Sequence, residues 1–506
     1  MIKLSSIQRS YKMKRLLRLI LSRTTFILLL LLLQIAFFFV TVNFISRFQY
    51  IHTILYIITI IIVMYLIHKE ENPIYKLTWI IPIMIFPLFG GLFYLFYKNT
   101  NISNKAKNLY QTIEDERIEY TKSMNISYQS KITNYLYLLG FPTFTHTKTT
   151  FFDSGEKLFD DLIRSLQTAQ KVIYMEFFII SQGQLWTEIL TILKQKANQG
   201  VDIKIIYDDF GSSKLPYTYT KTLKSYGIDA YNFNPMKPHL NFQMNYRNHR
   251  KVVIIDHHIG YTGGINIGDE YINKESPFGH WQDSGIKLEG PAVFSLTAGF
   301  LDQLRFLSSD NIKIDYTPFN DVVSTNKSLI TPFFDAPLDK EYTTKNIYMQ
   351  MIYKAKSYIY ISTPYLILDY ELMTALKFAV SSGVAVYIII PYIPDKRTIF
   401  MVSESYAKDL SEAGIHVYKY KPGFIHSKFM VIDDQEALIG TVNLDYRSLF
   451  LHFENSIYLK NDASIIDIKH HFEDLLLKSI DIKDLKKHHL LYRFIQLVLK
   501  GFSSIL

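Results

Sequence analysis

One arrangement of polar residues occurs twice in this chain, and it constrains the fold more than any other feature of the sequence. Each copy begins with His-x-Lys, crosses four apolar residues to an Asp, and then reaches a Gly-[Gly/Thr]-x-Asn segment. The copies contain His249, Lys251, Asp256, Gly263 and Asn266, and then His426, Lys428, Asp433, Gly440 and Asn443. A lone His-x-Lys predicts little, but two copies with the same internal spacing indicate a duplicated structural unit.

The sequence around the two copies repeats as well. Residues 169–174 (AQKVIY) are echoed by residues 355–360 (AKSYIY), and each segment leads into a short apolar run typical of a buried strand. Helical stretches separate these runs, so strand and helix alternate and each half is predicted to be an α/β unit with a largely buried sheet. We place the first half at residues 151–320, the second at 321–483, and a connector at 99–150.

These motifs resemble the HKD motifs of the phospholipase D superfamily, and further segments resemble the bacterial cardiolipin synthases. The segments are NPIYKLTWIIPIMIFPLFGGLFYLFY (72–97), GGINIGDEY (263–271), HWQDSGIKLEGPAV (280–293) and GTVNLDYRS (440–448). The likeness runs from about residue 50 to the end of the chain. It implies two homologous α/β/α halves that pack together and share one active site.

The residue types of the motif suit attack on a phosphodiester, whose negative charge repels nucleophiles. Lys251 and Lys428, with Asn266 and Asn443, are predicted to hold the phosphate oxygens and offset the charge of the transition state. A neutral imidazole is nucleophilic, and its pKa lies near operating pH. The resemblance implies that His249 attacks phosphorus and His426 serves as the acid and base, although the sequence leaves the reverse order open.

Acidic side chains are needed to orient the two imidazoles. Glu454 matches the acidic position of the family, and Asp283 is the analogous candidate in the first half. The sequence leaves open whether each His pairs within its own half or across to the other. Asp256 and Asp433 belong to the catalytic motif, either as organisers of the site or in a purely structural role.

One position departs from the family pattern. His452 stands where the family usually has Asn, two residues before Glu454. It is interpreted as a surface His, with altered contacts near the phosphate as the alternative.

The amino-terminal part of the chain is strongly apolar. Uncharged runs occupy residues 24–46, 48–68 and 77–97, and about 20 apolar residues are needed to cross a bilayer. We predict a basic tail of the cytoplasmic type at 1–24 and two to three transmembrane helices within 24–98, and therefore a multi-pass protein of the bacterial cell membrane. Helices buried in a soluble core are the alternative, and the side of the membrane that the later domain faces stays open.

Two further segments carry alternative interpretations. Residues 484–506 combine basic and apolar residues and are predicted to form a basic amphipathic helix, either on a lipid surface or packed against the domain. The aromatic stretch at 231–249 leads into the first motif and is predicted to be a loop over the site, in contact with lipid or simply packed.

Composition and missing motifs restrict the function further. The formal net charge is +9, but residues 1–24 hold seven basic residues and no acid. Most of the positive charge therefore lies in the tail, and the rest of the chain lacks the basic surface that a nucleic-acid partner would require. The chain has no Cys, no nucleotide-binding loop and no metal-ligand pattern, so we expect no cofactor, metal or nucleotide.

We predict a cardiolipin synthase that joins two phosphatidylglycerol molecules at the membrane. Hydrolytic phospholipase D, another transphosphatidylase, a scaffold with a vestigial site, and a nuclease are the alternatives.

Overall fold

The structure, a computed structural model, describes most of the chain and divides into two compact units. The described residues are 45–69, 73–87, 90–92, 103–124, 130–235, 246–308, 327–486 and 488–503, with the single positions 32, 36, 94 and 325. The first unit contains the described residues up to 102, and the second contains those from 103 onward. The predicted basic tail, most of the run at 24–46 and the centre of the aromatic stretch at 231–249 lie outside the described residues.

The first unit contains two helices, α1 (Ile45–His68) and α2 (Pro73–Ile85). They pack through a small apolar cluster in which the ring of Trp79 lies against that of Tyr94. Among the residues described here, no helix is both long and apolar enough to cross a bilayer. The prediction of transmembrane helices within 24–98 therefore finds no support in the described helices.

The predicted connector at 99–150 is largely helical. Helix α3 (Asn104–Ser123) is followed by α4 (Lys131–Leu138), whose first turn is closed by a capping box between Ser130 and Thr133. An ion pair joins Arg117 of α3 to Asp302 at 3.1 Å. The segment therefore packs against the first half instead of merely linking two parts of the chain.

The first half is built on a seven-stranded mixed sheet with the order β1-β9-β7-β6-β2-β3-β4. Its strands are β1 (Lys148–Phe152), β2 (Val172–Phe177), β3 (Asp202–Asp208), β4 (Asp229–Phe233), β6 (Lys251–Ile255), β7 (Ile259–Gly263) and β9 (Gly285–Glu289). Its helices are α5 (Gly155–Thr168), α6 (Gln184–Asn198), α7 (Tyr219–Lys224) and α8 (Val293–Ser308). Strands β2 and β6 are buried along their whole length, as expected of central strands covered on both faces.

The second half repeats this strand order. Its path is β10-β17-β16-β15-β11-β12-β13, extended by the short edge strand β18. The strands are β10 (Leu329–Asp335), β11 (Tyr358–Ser362), β12 (Ala385–Pro391), β13 (His416–Tyr420), β15 (Phe429–Ile432), β16 (Glu436–Gly440), β17 (His452–Lys460) and β18 (Ser479–Asp481). The helices are α9 (Thr343–Lys354), α10 (Tyr370–Ser381), α11 (Arg397–Glu412), α12 (Tyr446–Phe450), α13 (Ala463–Leu477) and α14 (Leu490–Gly501). The motif strands β6 and β15 occupy the same place in the two sheets.

Two short parallel strand pairs join the halves to each other. Strand β5 (Arg247–Asn248) of the first half pairs with β17 of the second. Strand β8 (His280–Gln282) of the first half pairs with β14 (Gly423–Ile425) of the second. Each motif His follows directly after one of these strands. The halves are therefore joined by backbone hydrogen bonds at the entrance to each motif.

Candidate active site

The first joining pair places His249 next to an acid of the other half. In the parallel register Arg247 lies opposite His452 and Asn248 opposite Phe453. The backbone N–H of His249 continues the ladder by donating to the carbonyl of Phe453 at 2.8 Å. The next residue along the second half is Glu454, and His249 Nδ1 lies 3.0 and 2.9 Å from its two carboxylate oxygens.

The second joining pair repeats this arrangement with the halves exchanged. Ile425 lies opposite Gln282, and the N–H of His426 donates to the carbonyl of Gln282. The following residue of the first half is Asp283, whose Oδ2 lies 2.6 Å from His426 Nδ1. The sequence left the pairing open, and the structure places both carboxylates across from the imidazoles, each acid coming from the other half.

Burial sets the protonation of these groups. His249 and His426 are each 7% exposed, and both carboxylates are fully buried. Burial lowers the pKa of His249 well below its usual value and that of His426 to about 4. Burial also acts to raise the pKa of Glu454 and Asp283, but the partner imidazoles, together with the charge of Lys428 at Asp283, outweigh it and keep both pKa values below their usual range. Each pair is therefore a neutral imidazole that donates Nδ1–H to an ionised carboxylate, which leaves Nε2 free to act as base or nucleophile.

The two motif lysines complete one charged cluster. The Nζ of Lys251 donates to the carbonyl of His249 at 2.6 Å, and that of Lys428 donates to the carbonyl of His426. Burial lowers the pKa of Lys251 to about 7 and that of Lys428 to about 8, and the positive charge of Lys428 adds to the effect on Lys251. Both lysines also feel the charges of Glu454 and Asp283. The two motifs therefore share one electrostatic environment.

The two motif asparagines are not equivalent. Asn266 accepts from the N–H of Ile179 at 3.0 Å and donates to the hydroxyl of Tyr271 at 2.8 Å. The side-chain oxygen of Asn443 is buried and has no hydrogen-bond partner among the described residues. The predicted phosphate-binding role therefore has less geometric support at Asn266, whose amide already holds two parts of the first half together.

The motif aspartates lie at the far ends of the motif strands. Asp256 lies five positions after Lys251, just beyond the end of β6, about 17 Å away at the usual rise per residue. Its carboxylate accepts from the N–H groups of Gln170, Lys171 and Val172, and Asp433 does the same with Lys356, Ser357 and Tyr358. The grouping of Asp256 and Asp433 with the catalytic residues is therefore corrected. They fix the start of the neighbouring strand, which is the structural alternative.

Two further residues of the repeated motifs, to which the sequence analysis gave no role at the acids, support the pairs. The hydroxyl of Thr441 donates to Glu454 Oε2 at 2.5 Å. Gly264, its counterpart in the first half, leaves room for Asp283, because a Cβ there would lie 2.2 Å from Oδ1. In the sequence, the indication for both residues is that the first motif has Gly-Gly where the second has Gly-Thr.

Aromatic rings enclose the imidazoles. Phe178 lies 5.1 Å from the ring of His249, while Trp281 and Tyr271 lie 5.2 and 5.7 Å from that of His426. Each imidazole therefore packs against aromatic rings as well as against its carboxylate. The site is therefore a low-dielectric enclosure around two imidazoles and two ammonium groups.

His452 lies beside the site instead of on the open surface. Its ring is 5.5 Å from that of His249, and its Nδ1 is 3.5 Å from Glu454 Oε1. The surface interpretation was wrong. His249, His452 and Glu454 lie close enough together to form a possible metal site within the described residues, but the neighbouring Lys251 ammonium opposes a cation there.

Comparison with known families and proteins covers most of the chain. The family described as "Cardiolipin synthase, PLD-like domain" matches residues 162–277 and 348–476. The family described as "Phospholipase D-nuclease N-terminal" matches residues 54–98.

Individual relatives agree with these matches. An uncharacterized protein of Streptococcus mutans is 37% identical over 88% of this chain and 99% of its own length. The protein named cardiolipin synthase 2 of Bacillus anthracis is 36% identical over 82% of this chain and 83% of its own length. The crystal structure of a phosphatidylserine synthase from Haemophilus influenzae matches with a TM-score of 0.57 at 15% identity, over 71% of this chain and 93% of that one. The last match shows the fold alone.

Proposed function

Because the chain belongs to the bacterial cardiolipin synthases of the phospholipase D superfamily, we propose that it transfers a phosphatidyl group from one phosphatidylglycerol to another. The products are cardiolipin and glycerol. The observation that carries this proposal is the pair of crossed imidazole–carboxylate contacts around the two buried lysines. That arrangement supplies a nucleophile, a proton carrier and a binding site for phosphate oxygens in one enclosure.

In the first step, Nε2 of His249 attacks phosphorus and forms a P–N bond. The P–O bond to the leaving glycerol breaks, and His426 gives that oxygen a proton. His426 is neutral in the empty site, since its pKa is lowered to about 4. The arriving phosphodiester brings a negative charge that favours its protonated form. Glu454 faces Nδ1 of His249 and balances the positive charge that the phosphorylated ring acquires.

In the second step, the acceptor replaces His249 on phosphorus. His426 takes the proton from a hydroxyl of the second phosphatidylglycerol, whose oxygen attacks while the P–N bond breaks. Lys251 and Lys428 offset the charge on the equatorial oxygens in both steps. One phosphodiester is exchanged for another, so the reaction needs no nucleotide.

Enclosure of the imidazoles favours an alcohol acceptor over water. Both rings are almost fully buried and bordered by aromatic side chains. A bound lipid acceptor excludes water from the phosphohistidine, which otherwise hydrolyses to phosphatidic acid. The ratio of cardiolipin to phosphatidic acid therefore separates the proposed transfer from the hydrolytic alternative.

The test is a product analysis with the purified full chain. Labelled phosphatidylglycerol, without nucleotide or added metal, should give cardiolipin and an equal amount of glycerol. His249→Ala and His426→Ala should abolish the product, whereas His416→Ala, on strand β13 and away from the motifs, should retain it. Phosphatidic acid as the sole product would contradict the proposal, and so would full activity of either motif variant.

We also propose that the amino-terminal apolar segments hold the chain in the cell membrane as a multi-pass protein. The support is that α1 exposes several large apolar side chains, including Ile57, Ile61 and Met64, and that the substrate is a membrane lipid. Alkaline carbonate washing of cell membranes should leave the chain in the pellet. Release into the supernatant would contradict this attachment.

A further inference from the structure

The carboxy-terminal helix α14 packs against the protein with its polar side. The hydroxyl of Tyr492 donates to Glu404 at 2.6 Å, and the amide of Gln496 donates to the carbonyl of Met401 at 3.1 Å. Lys500 forms an ion pair with Asp409. These contacts recur at every fourth residue of α14 and therefore come from one face, which lies on helix α11.

The opposite face of α14 is apolar and exposed. Leu490, Phe494 and Leu497 are 82%, 62% and 68% exposed. The remaining exposed apolar residues of the helix are Leu491, Ile495 and Val498. At 3.6 residues per turn these six side chains span an arc of about 160° with no charged residue inside it. A peripheral helix of a globular domain normally buries such an arc.

Helix α5 shows the normal arrangement in the same unit. It is also strongly amphipathic, and it buries Leu158, Phe159, Leu162 and Leu166 against the core. Its exposed side carries polar residues such as Gln167. The reversed orientation of α14 is therefore a property of that helix and not of the whole unit.

Charge and size indicate what covers the apolar face. Lys483, Lys486 and Arg493 are exposed in and just before α14, against one exposed acid, Asp484, so the neighbours of the face are net basic. The helix has 12 residues, about 18 Å in length, and its six exposed apolar side chains offer only several hundred Å² of accessible surface. A stable contact with a second copy needs about 800 Å² per partner, so dimerisation through this face alone is disfavoured.

We propose that α14 is a membrane-docking helix whose apolar face enters the surface of a bilayer rich in anionic phospholipid. The proposal rests on the lipid substrate of the proposed function, but it concerns a different surface. The polar face of α14 stays on α11, and the apolar face lies among the lipid headgroups and upper acyl chains. Docking therefore does not require α14 to leave the protein.

Helix α11 connects this surface to the active site. Lys396, the residue just before α11, lies 5.5 Å from the ring of Tyr365. Tyr365 contacts the ring of Phe424 at 6.4 Å, and Phe424 lies 5.9 Å from the ring of His426. Packed side chains therefore run from the amino-terminal end of α11 to the wall of the site on the His426 side.

The test uses the absence of Cys from the chain. Full-length Phe494→Cys carries an environment-sensitive fluorophore, and Gln167→Cys on α5 is the matched control at an exposed polar position. Both proteins are reconstituted in vesicles of phosphatidylglycerol and phosphatidylcholine. The label at 494 should shift to the blue and be quenched by lipids brominated on the acyl chain, while the label at 167 should be quenched only by aqueous iodide.

Three outcomes would overturn the proposal. These are iodide quenching at position 494, equal lipid quenching at both positions, or a blue shift that depends on protein concentration and not on lipid, which would indicate a second copy. Cardiolipin synthesis is measured on the same samples. If cardiolipin is made while the label at position 494 is quenched by aqueous iodide, the proposal that α14 docks on the membrane is rejected and the proposed function is retained.

Discussion

The two imidazole–carboxylate pairs have the same backbone geometry but different support for the carboxylate. Glu454 receives the hydroxyl of Thr441 in addition to His249, and a third imidazole lies 3.5 Å away. Asp283 receives the backbone N–H of Ser284 at 2.9 Å in addition to His426. Duplication has therefore preserved how each His is presented, while the surroundings of the two acids differ.

The residue that follows the first glycine of each motif shows this difference most clearly. In the second half it is Thr441, which donates to the acid. In the first half it is Gly264, where any Cβ would collide with Asp283. Each carboxylate accepts from two donors, but the second donor is a side-chain hydroxyl at Glu454 and a backbone N–H at Asp283. In the proposed mechanism, Glu454 faces the ring that is phosphorylated and Asp283 faces the ring that moves a proton.

The largest expected effect comes from neutralising either acid. Glu454→Gln and Asp283→Asn should each lower kcat by about 10³- to 10⁴-fold, because the imidazole loses the partner that fixes its tautomer. The two variants should differ with a phosphatidyl donor whose leaving group needs no proton. Release of that group should recover in Asp283→Asn and stay slow in Glu454→Gln. Equal recovery of leaving-group release in both variants would mean that Glu454 and Asp283 do not support different steps.

Substitutions at the paired position should have unequal effects. Gly264→Ala should lower kcat by about 100-fold or more, because its Cβ displaces Asp283 and small misplacements are costly. Thr441→Val should lower kcat only about 10-fold, the loss of one hydrogen bond to a charged acceptor. Circular dichroism and thermal unfolding of both variants separate loss of folding from loss of geometry. A Thr441→Val defect as large as that of Gly264→Ala would remove the contrast.

The pH dependence should report the two lysines. The charged form binds phosphate, and in the empty site the pKa is lowered to about 7 for Lys251 and about 8 for Lys428. kcat/KM should therefore fall more steeply as pH rises through 7 to 8, because each lysine adds about tenfold per pH unit above its pKa to the fall caused by deprotonation of His426, whose pKa is lowered to about 4. Lys251→Arg keeps its charge and should delay this steepening to about pH 8. If kcat/KM of that variant depended on alkaline pH as it does in the unmodified protein, Lys251 would be excluded as the cause of that dependence.

The smallest effect on catalysis should come from the motif aspartates. Asp256→Asn weakens three backbone contacts and should lower the melting temperature, while kcat of the folded protein stays within about threefold. Asp433→Asn should behave alike, since its contacts are equivalent. A loss of kcat comparable to that of Glu454→Gln, with unchanged melting, would return these residues to the catalytic group.

Much of this site follows from local sequence. The His-x-Lys spacing and the apolar run after it predict a motif that enters a buried strand, and β6 and β15 begin at or one residue after the motif lysines. The crossed pairing did not follow, because it depends on the register between β5 and β17, whose residues are about 200 positions apart in the chain. His452 was misjudged for the same reason, since its neighbour His249 comes from the other half.

The central claim is that the two halves form one active site, and the stoichiometry of the covalent intermediate tests it most directly. His426→Ala is mixed with a radiolabelled phosphatidyl donor whose leaving group needs no proton, and the labelled protein is mapped by peptide analysis. We predict one phosphatidyl group per chain, carried by His249, because the variant forms the intermediate and lacks the base to resolve it. Two groups per chain from the unmodified protein, or label at position 426 in His249→Ala, would contradict a single shared site with these roles.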